Sequence, residues 1–164
     1  MVARRSPACD QDAPAHEIKR PFRAFQRGGL RQAIKAIAVW ALILPLAILN
    51  GAFREAVLLP SLGNPWAQAL SGLLLSACII AVAVVFVPRL VRRGSMQPWQ
   101  MGALWLALTL VFEFGFGRLV LGRSWPDLLA AYTFADGNIW PLVLLITAAA
   151  PSLAARLPGR HAGR

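Results

Sequence analysis

Four long apolar runs dominate the pattern of residues along the chain. They are the charge-free or nearly charge-free ranges 36–53 (resuming at 56–60), 56–88, 94–121 and 137–155. Each is near or above the roughly 20 residues that a helix needs to cross a hydrocarbon core of about 30 Å. Backbone polar groups must be paired internally in lipid, so the runs predict helices. The expected fold class is an all-α membrane protein with a four-transmembrane-helix bundle.

The apolar runs also predict the limits of the domains. Helices are expected at about 34–57, 66–90, 99–121 and 139–157, which places the transmembrane domain at 34–157. The preceding segment, 1–33, is polar and basic and has no apolar periodicity, so it is interpreted as a disordered cytoplasmic tail. Its last part is open to a second interpretation, a short basic helix at the membrane surface. The segment 158–164 is interpreted as a second short basic tail.

The distribution of basic residues predicts the orientation of this bundle. The 17 lysines and arginines lie in the two terminal segments and in the loop between the second and third helices, except for Arg54, Arg118 and Arg123. Loops rich in Lys and Arg stay on the cytoplasmic side of a membrane. We therefore expect both termini in the cytoplasm and the three exceptional arginines on the outer side.

Composition supports a membrane protein and limits other classes of function. Apolar residues make up 57% of the chain, whereas about half is usual in a soluble domain. The formal net charge is +10, but the basic residues flank the apolar runs, so we expect anionic lipid headgroups as partners and no nucleic acid. Both histidines, His16 and His161, lie in the terminal segments. No cofactor or metal is expected, because the apolar runs offer no histidine ligand.

Charged residues inside the apolar runs form the candidate functional site. Glu113 falls about halfway along the third predicted helix, where a carboxylate facing lipid would cost at least about 2.5–3.5 kcal/mol. It should therefore face the interior and have a partner. Arg118 lies about 140° round the same helix, so Arg54 is the expected partner of Glu113. Asn50 lies one turn before Arg54, and Glu55 is placed to meet Arg118, which completes the predicted network.

A short helix is expected between the third and fourth transmembrane helices. Ser124 and Asp127 have the spacing of a capping box, and Pro126 suits the first turn of a helix. The helix would run from Trp125 to about Tyr132 along the outer membrane surface. Aromatic residues at such positions are typical of the membrane interface. The expected interfacial anchors are Trp66, Trp125, Tyr132 and Trp140.

Several short motifs resemble those of a family of small bacterial inner-membrane proteins of uncharacterised function. They are NGAFRE at 50–55, FEFGFG at 112–117, Ser124-Trp125 with Tyr132, and GNIW at 137–140 followed by Thr147 and Ala150-Pro151. The resemblance covers roughly residues 36 to 157. It implies a bacterial inner membrane as the location, and it implies no particular activity.

Three functions remain compatible with the sequence. An accessory or scaffold component of a larger membrane complex is favoured, because no catalytic motif appears and an enzyme is not expected. Such a component would have a protein partner in a membrane complex, whereas a homo-oligomer is the alternative expected partner. An oligomeric transporter or channel using Glu113 is the first alternative. A lipid-active membrane enzyme is the second alternative. The sequence leaves open whether the predicted charge network is structural or functional.

Overall fold

A computed structural model describes residues 19–92, 94, 96–134 and 137–157, with side chains from Gly29 onwards. All regular structure in these ranges is helical. The elements are α1 (Lys19–Phe53), a π-helical turn (Arg54–Leu58), α2 (Leu59–Leu62), α3 (Asn64–Val91), α4 (Pro98–Leu119), α5 (Trp125–Ala130) and α6 (Trp140–Arg156). The predicted 158–164 tail and the first part of the predicted 1–33 tail lie outside the described residues.

Three of the helical segments are long and apolar enough to cross a membrane, which is compatible with an integral membrane protein. They are Gly29–Leu62, Asn64–Val91 and Pro98–Leu119. Helix α6 is apolar but shorter, with 17 residues. The four long helices run alternately up and down, and α1 and α6 occupy opposite corners, each packed against α3 and α4.

The limits of the helices differ from expectation mainly at the first one. Helix α1 begins at Lys19 rather than near residue 34, so residues 19–33 continue the helix instead of belonging to a disordered tail. Packing explains part of this extension, because Gln32 and Ala36 are both buried. The Gln32 amide also donates to the carbonyl of Leu90 (3.3 Å) and accepts from the backbone N–H of Met96 (2.6 Å).

The helical segment also continues past residue 57, through the π-helical turn and α2 to Leu62. The backbone N–H of Leu59 donates to the carbonyl of Arg54, the i→i+5 pattern that defines a π turn. Pro60 follows immediately and has no N–H to donate, so the regular α-helical ladder is interrupted there. The turn therefore falls at the end of the bundle where the charged residues lie.

Two tryptophans join α1 to α4 inside the bundle. Trp105 is completely buried, and its indole N–H donates to the backbone carbonyl of Ala36 (3.0 Å). Trp40 donates to the hydroxyl of Thr109 (3.0 Å). Apolar side chains including those of Val87 and Met101 fill the half of the bundle nearest the 92–97 connection. We call this half the closed end and the other, containing Arg54 and residues 120–139, the site end.

Helices α4 and α6 approach each other closely at Gly102. A Cβ atom at this position would overlap the backbone carbonyl oxygen of Ala148. Small residues allow such close backbone approaches, which are a main source of packing energy between helices in a membrane. Gly115 lies on the same helix, and a Cβ there would meet no atom within 4 Å.

We expect Gly102→Ala to destabilise the bundle by about 1–3 kcal/mol, because the added methyl group forces α4 and α6 apart. Gly115→Ala is the matched control, and we expect it to be neutral or stabilising by up to about 1 kcal/mol because alanine favours a helix over glycine. Thermal unfolding of both variants in one detergent measures the difference. Equal melting temperatures would contradict the close packing of α4 on α6.

Candidate functional site

The carboxylate of Glu113 is the centre of the site end. Its Oε2 atom accepts hydrogen bonds from the hydroxyl of Tyr132 (2.7 Å) and from the indole N–H of Trp140 (2.9 Å). All three side chains are half-buried. Hydrogen bonds to a carboxylate are stronger than those between neutral groups. Glu113 therefore ties the connection between α4 and α6 to α4, and it has no basic partner among the described residues.

The first half of this connection is built by α5. The Ser124 hydroxyl oxygen caps the helix by accepting from the backbone N–H of Asp127. The Asp127 carboxylate in turn accepts from the backbone N–H of Ser124, which completes the capping box that the sequence predicts. The helix itself is shorter than expected, because it ends at Ala130. The buried side chain of Leu128 packs against Gly117, where a Cβ would crowd it. Beyond α5, the ring of Tyr132 stacks on Phe114, with centroids 5.6 Å apart.

The second half of the connection positions Trp140. The amide of Asn138 donates to the carbonyl of Ala131 (2.8 Å), and its oxygen accepts from the backbone N–H of Trp140 (2.9 Å). Gly137 has a φ of 76°, a conformation that glycine adopts readily, and a Cβ there would overlap the carbonyl of Pro65. The connection is thus held against the start of α3 as well as against α4.

Arg54 does not pair with Glu113 as expected. Its guanidinium bonds the neighbouring carboxylate of Glu55 (2.8 Å) and the side-chain oxygen of Gln68 (3.0 Å). Arg118 likewise bonds the backbone carbonyl of Arg123 (3.3 Å) instead of Glu55. The π turn adds one residue to the helical turn at Arg54 and so changes the side-chain directions expected of a regular helix. Glu113, meanwhile, is supplied with neutral donors by the loop.

Asn50 is paired with α3 rather than with the charged residues. Its amide nitrogen donates to the carbonyl oxygen (3.1 Å) and to the hydroxyl (2.8 Å) of Ser71. The side chain is only 9% exposed. Its Oδ1 atom is buried and has no hydrogen-bond partner among the described residues. Buried polar atoms are normally paired, so this acceptor is an exception that calls for an explanation.

Two adjoining cavities surround the site residues. One, of about 230 Å³, is lined mainly by apolar side chains of α1, α3, α4 and α6. The other, of about 400 Å³, contains the polar groups of Asn50, Arg54 and Gln68. Glu113 and Arg123 line both cavities. The structure therefore brings Asn50, Arg54 and Glu113 to one cavity even though it does not bond them to one another.

The four aromatic residues expected at the interface divide into two pairs. Trp66 and Trp125 are 72% and 55% exposed, as an interfacial position requires. Tyr132 and Trp140 instead point towards Glu113. Sequence reasoning treated these two as anchors and missed their role as hydrogen-bond donors. The sequence did contain a signal for this role. Both residues lie in the connection that follows Glu113, and each aromatic ring carries a hydrogen-bond donor.

The environment of Tyr132 raises its pKa. Burial is the largest cause, followed by the hydrogen bond to Glu113 and the negative charge of that carboxylate, while the hydrogen bond network through Trp140 acts in the opposite direction. Because the pKa is higher in the folded state, this group contributes stability that is fully present below about pH 10. That stability is lost as the pH rises through the pKa of the folded state.

We expect Tyr132 to ionise at a higher pH than free tyrosine, and Glu113→Gln to lower its pKa part of the way back. The substitution removes the carboxylate charge but leaves the burial unchanged. Tyr132 is the single tyrosine of the chain, so ultraviolet absorbance of the phenolate reports on it alone.

Glu55→Gln is the control for this titration, since Glu55 is 61% exposed and bonds Arg54. It should leave the ionisation of Tyr132 unchanged. An identical titration curve in the wild type and in Glu113→Gln would contradict the contact between Tyr132 and Glu113.

Comparison with known proteins finds no relative from which a role could be inferred. No protein-family model, no curated protein and no solved structure matches the chain. The geometry around Glu113 and the two cavities is therefore the basis for a functional proposal.

Proposed function

We propose that the chain is an integral protein of the bacterial inner membrane that crosses it four times, with both termini in the cytoplasm. Between 17% and 33% of the residues in the apolar windows of its three long helices are buried in the bundle, so most of their apolar side chains face outwards. A lipid environment accounts for that surface. Helix α6 packs along both α3 and α4. It therefore crosses the membrane beside them.

The orientation rests on the basic residues, and the bacterial inner membrane rests on the motifs at 50–55 and 112–117. Lysines and arginines concentrate in the terminal segments and in the 89–93 region. Among the described residues, Arg89, Arg92 and Arg156 lie at the closed end. The positive-inside rule assigns this end to the cytoplasm. The site end, with Arg54, Arg118 and Arg123, then faces the other side, and α5 lies near the headgroups there.

We expect labelling of single cysteines by a membrane-impermeant maleimide to report this topology in intact cells. The starting variant has both native cysteines, Cys9 and Cys78, replaced. Thr133→Cys, at the exposed site end, should react in intact cells. Leu157→Cys, 50% exposed at the opposite end, should react only after the membrane is permeabilised. The reverse pattern would overturn the orientation, and equal labelling of both before permeabilisation would overturn the membrane location.

Within the membrane, the role that the geometry favours is an accessory or scaffold component of a larger complex. The observation that carries this proposal is that apolar side chains fill the closed end of the bundle. Trp105, Met101 and Val87 are fully buried in the closed end, and this apolar filling separates the polar cavity from the opposite side. Conduction of ions requires polar or wetted groups along the path, so a single bundle is not expected to conduct.

The serine and threonine hydroxyl groups around the site favour binding over catalysis. Thr109 and Thr147 donate to backbone carbonyls one turn earlier in their own helices, and the Ser71 hydroxyl accepts from Asn50. A nucleophilic hydroxyl needs an adjacent base to take its proton. Glu113, the carboxylate of both cavities, is already bonded to Tyr132 and Trp140. A lipid-active enzyme is therefore less well supported than an accessory role.

We expect native mass spectrometry of the full chain, extracted in mild detergent, to show a different membrane protein bound in a fixed ratio. Glu113→Gln should keep this partner, because the amide oxygen can accept from both loop donors. Glu113→Ala should weaken the complex, because the connection between α4 and α6 is released. A monomer or homo-oligomer without a partner, together with ion flux in liposomes, would contradict the accessory role in favour of transport.

A further inference from the structure

The two cavities at the site end share lining residues and are chemically unlike. The apolar cavity extends between α1 and α4 past Trp40, Ile43, Phe112 and Phe116. The polar cavity extends towards the start of α3 and the loop before α6. They meet at Glu113, Arg123 and Trp140, which line both. Ligand pockets of proteins commonly measure about 300–1,000 Å³. A molecule that occupies both must therefore have a polar and an apolar part.

The described residues that line the polar cavity include two arginines and one carboxylate. Arg54 and Arg123 line it, while Glu113 is the single carboxylate among its described lining residues. Arg54 bonds Glu55 and Gln68, which hold its guanidinium at the cavity wall, whereas Arg123 has no ion pair among the described residues. Two guanidinium groups around one space favour an oxyanion, and arginine binds phosphate oxygens through paired N–H groups.

The same cavity presents a buried acceptor that the chain leaves unpaired. Asn50 lines the cavity and is nine-tenths buried, and its amide nitrogen is already committed to Ser71. Its Oδ1 atom lacks a partner among the side chains that the structure describes. A bound molecule that satisfies this atom must carry a donor, either a hydroxyl or an ammonium group.

We propose that the site end binds a single glycerophospholipid whose headgroup contains a hydrogen-bond donor. One acyl chain occupies the apolar cavity between α1 and α4, the phosphate lies by Arg54 and Arg123, and the headgroup donor reaches Asn50. The position suits the ligand, because helix ends lie at the level where lipid phosphates are found. This inference rests on the membrane location proposed above and is independent of the accessory role.

The test is lipid binding to the full, delipidated chain in detergent, followed by native mass spectrometry. The probes are phosphatidylglycerol and phosphatidylethanolamine, which carry headgroup donors, phosphatidylcholine, which carries none, and inorganic phosphate. We expect one molecule of either donor-bearing lipid to bind about tenfold more tightly than phosphatidylcholine, the ratio typical of one hydrogen bond. Phosphate alone should bind far more weakly, since it leaves the apolar cavity empty.

Three pairs of variants separate the parts of the site. Arg123→Gln should weaken binding about tenfold, while Arg92→Gln, also exposed but outside both cavities, should not. Ala47→Phe should block binding, because Ala47 lines both cavities, while Ala41→Phe on the exposed face of the same helix should have no effect. Asn50→Leu should remove the preference for donor-bearing lipids, and Leu49→Ala, on the exposed face of the same helix and outside both cavities, should keep it.

Several results would overturn the proposal. Equal binding of all lipids to wild type and variants, or binding of phosphate as tight as that of lipid, would exclude a phospholipid site. If the wild type binds a protein partner but no lipid, and the Ala47→Phe variant no longer binds that partner, a helix of the partner occupies the cavities instead. Because Arg123 is exposed, its variant tests the site even where Asn50→Leu fails to fold. Release of the chain from membranes by alkaline carbonate would instead refute the membrane location itself.

Discussion

Glu113 imposes the main constraint on this fold, because it introduces a carboxylate near the end of an otherwise apolar helix. Such a group must be bonded inside the protein or carry a large free-energy cost. The chain meets this requirement with two neutral donors, Tyr132 and Trp140. Both come from the connection between α4 and α6, so satisfying the carboxylate also determines where that connection lies. The position of the cavities follows, since the connection forms one of their walls.

The two ends of the bundle differ because of how their polar groups are used. At the closed end, Trp105 and Gln32 bond backbone atoms and complete a packed interior. At the site end, Asn50 and Glu113 face open space and retain acceptor capacity. Interiors are normally filled to the density of organic crystals, so a cavity with polar walls is a departure from the usual packing. Polar groups that depart from the usual pairing often mark functional sites.

The π-helical turn shows why the charge network could not be derived from helical periodicity. The expected pairing assumed a regular helix through Arg54 and Glu55, with 100° between successive side chains. In the structure Arg54 bonds Glu55 and Gln68 instead, and Arg54 and Glu55 both lie in the π turn. The interruption accompanies Pro60, and its i→i+5 bond depends on packing at the start of α3 as well as on local sequence. Periodicity alone therefore assigned partners to Arg54 and Glu113 that differ from those in the structure.

Sequence by itself determined the features that depend on local pattern. The all-helical class follows from long apolar runs, and the capping box at Ser124 follows from the spacing of two side chains. Tertiary structure decided which groups meet: the donors of Glu113, the overlap of Gly102 with α6, and the unpaired oxygen of Asn50. The physical reason is that periodicity and capping act over one or two turns of a helix, whereas these contacts join residues far apart in the chain. Their geometry exists only after the helices have packed.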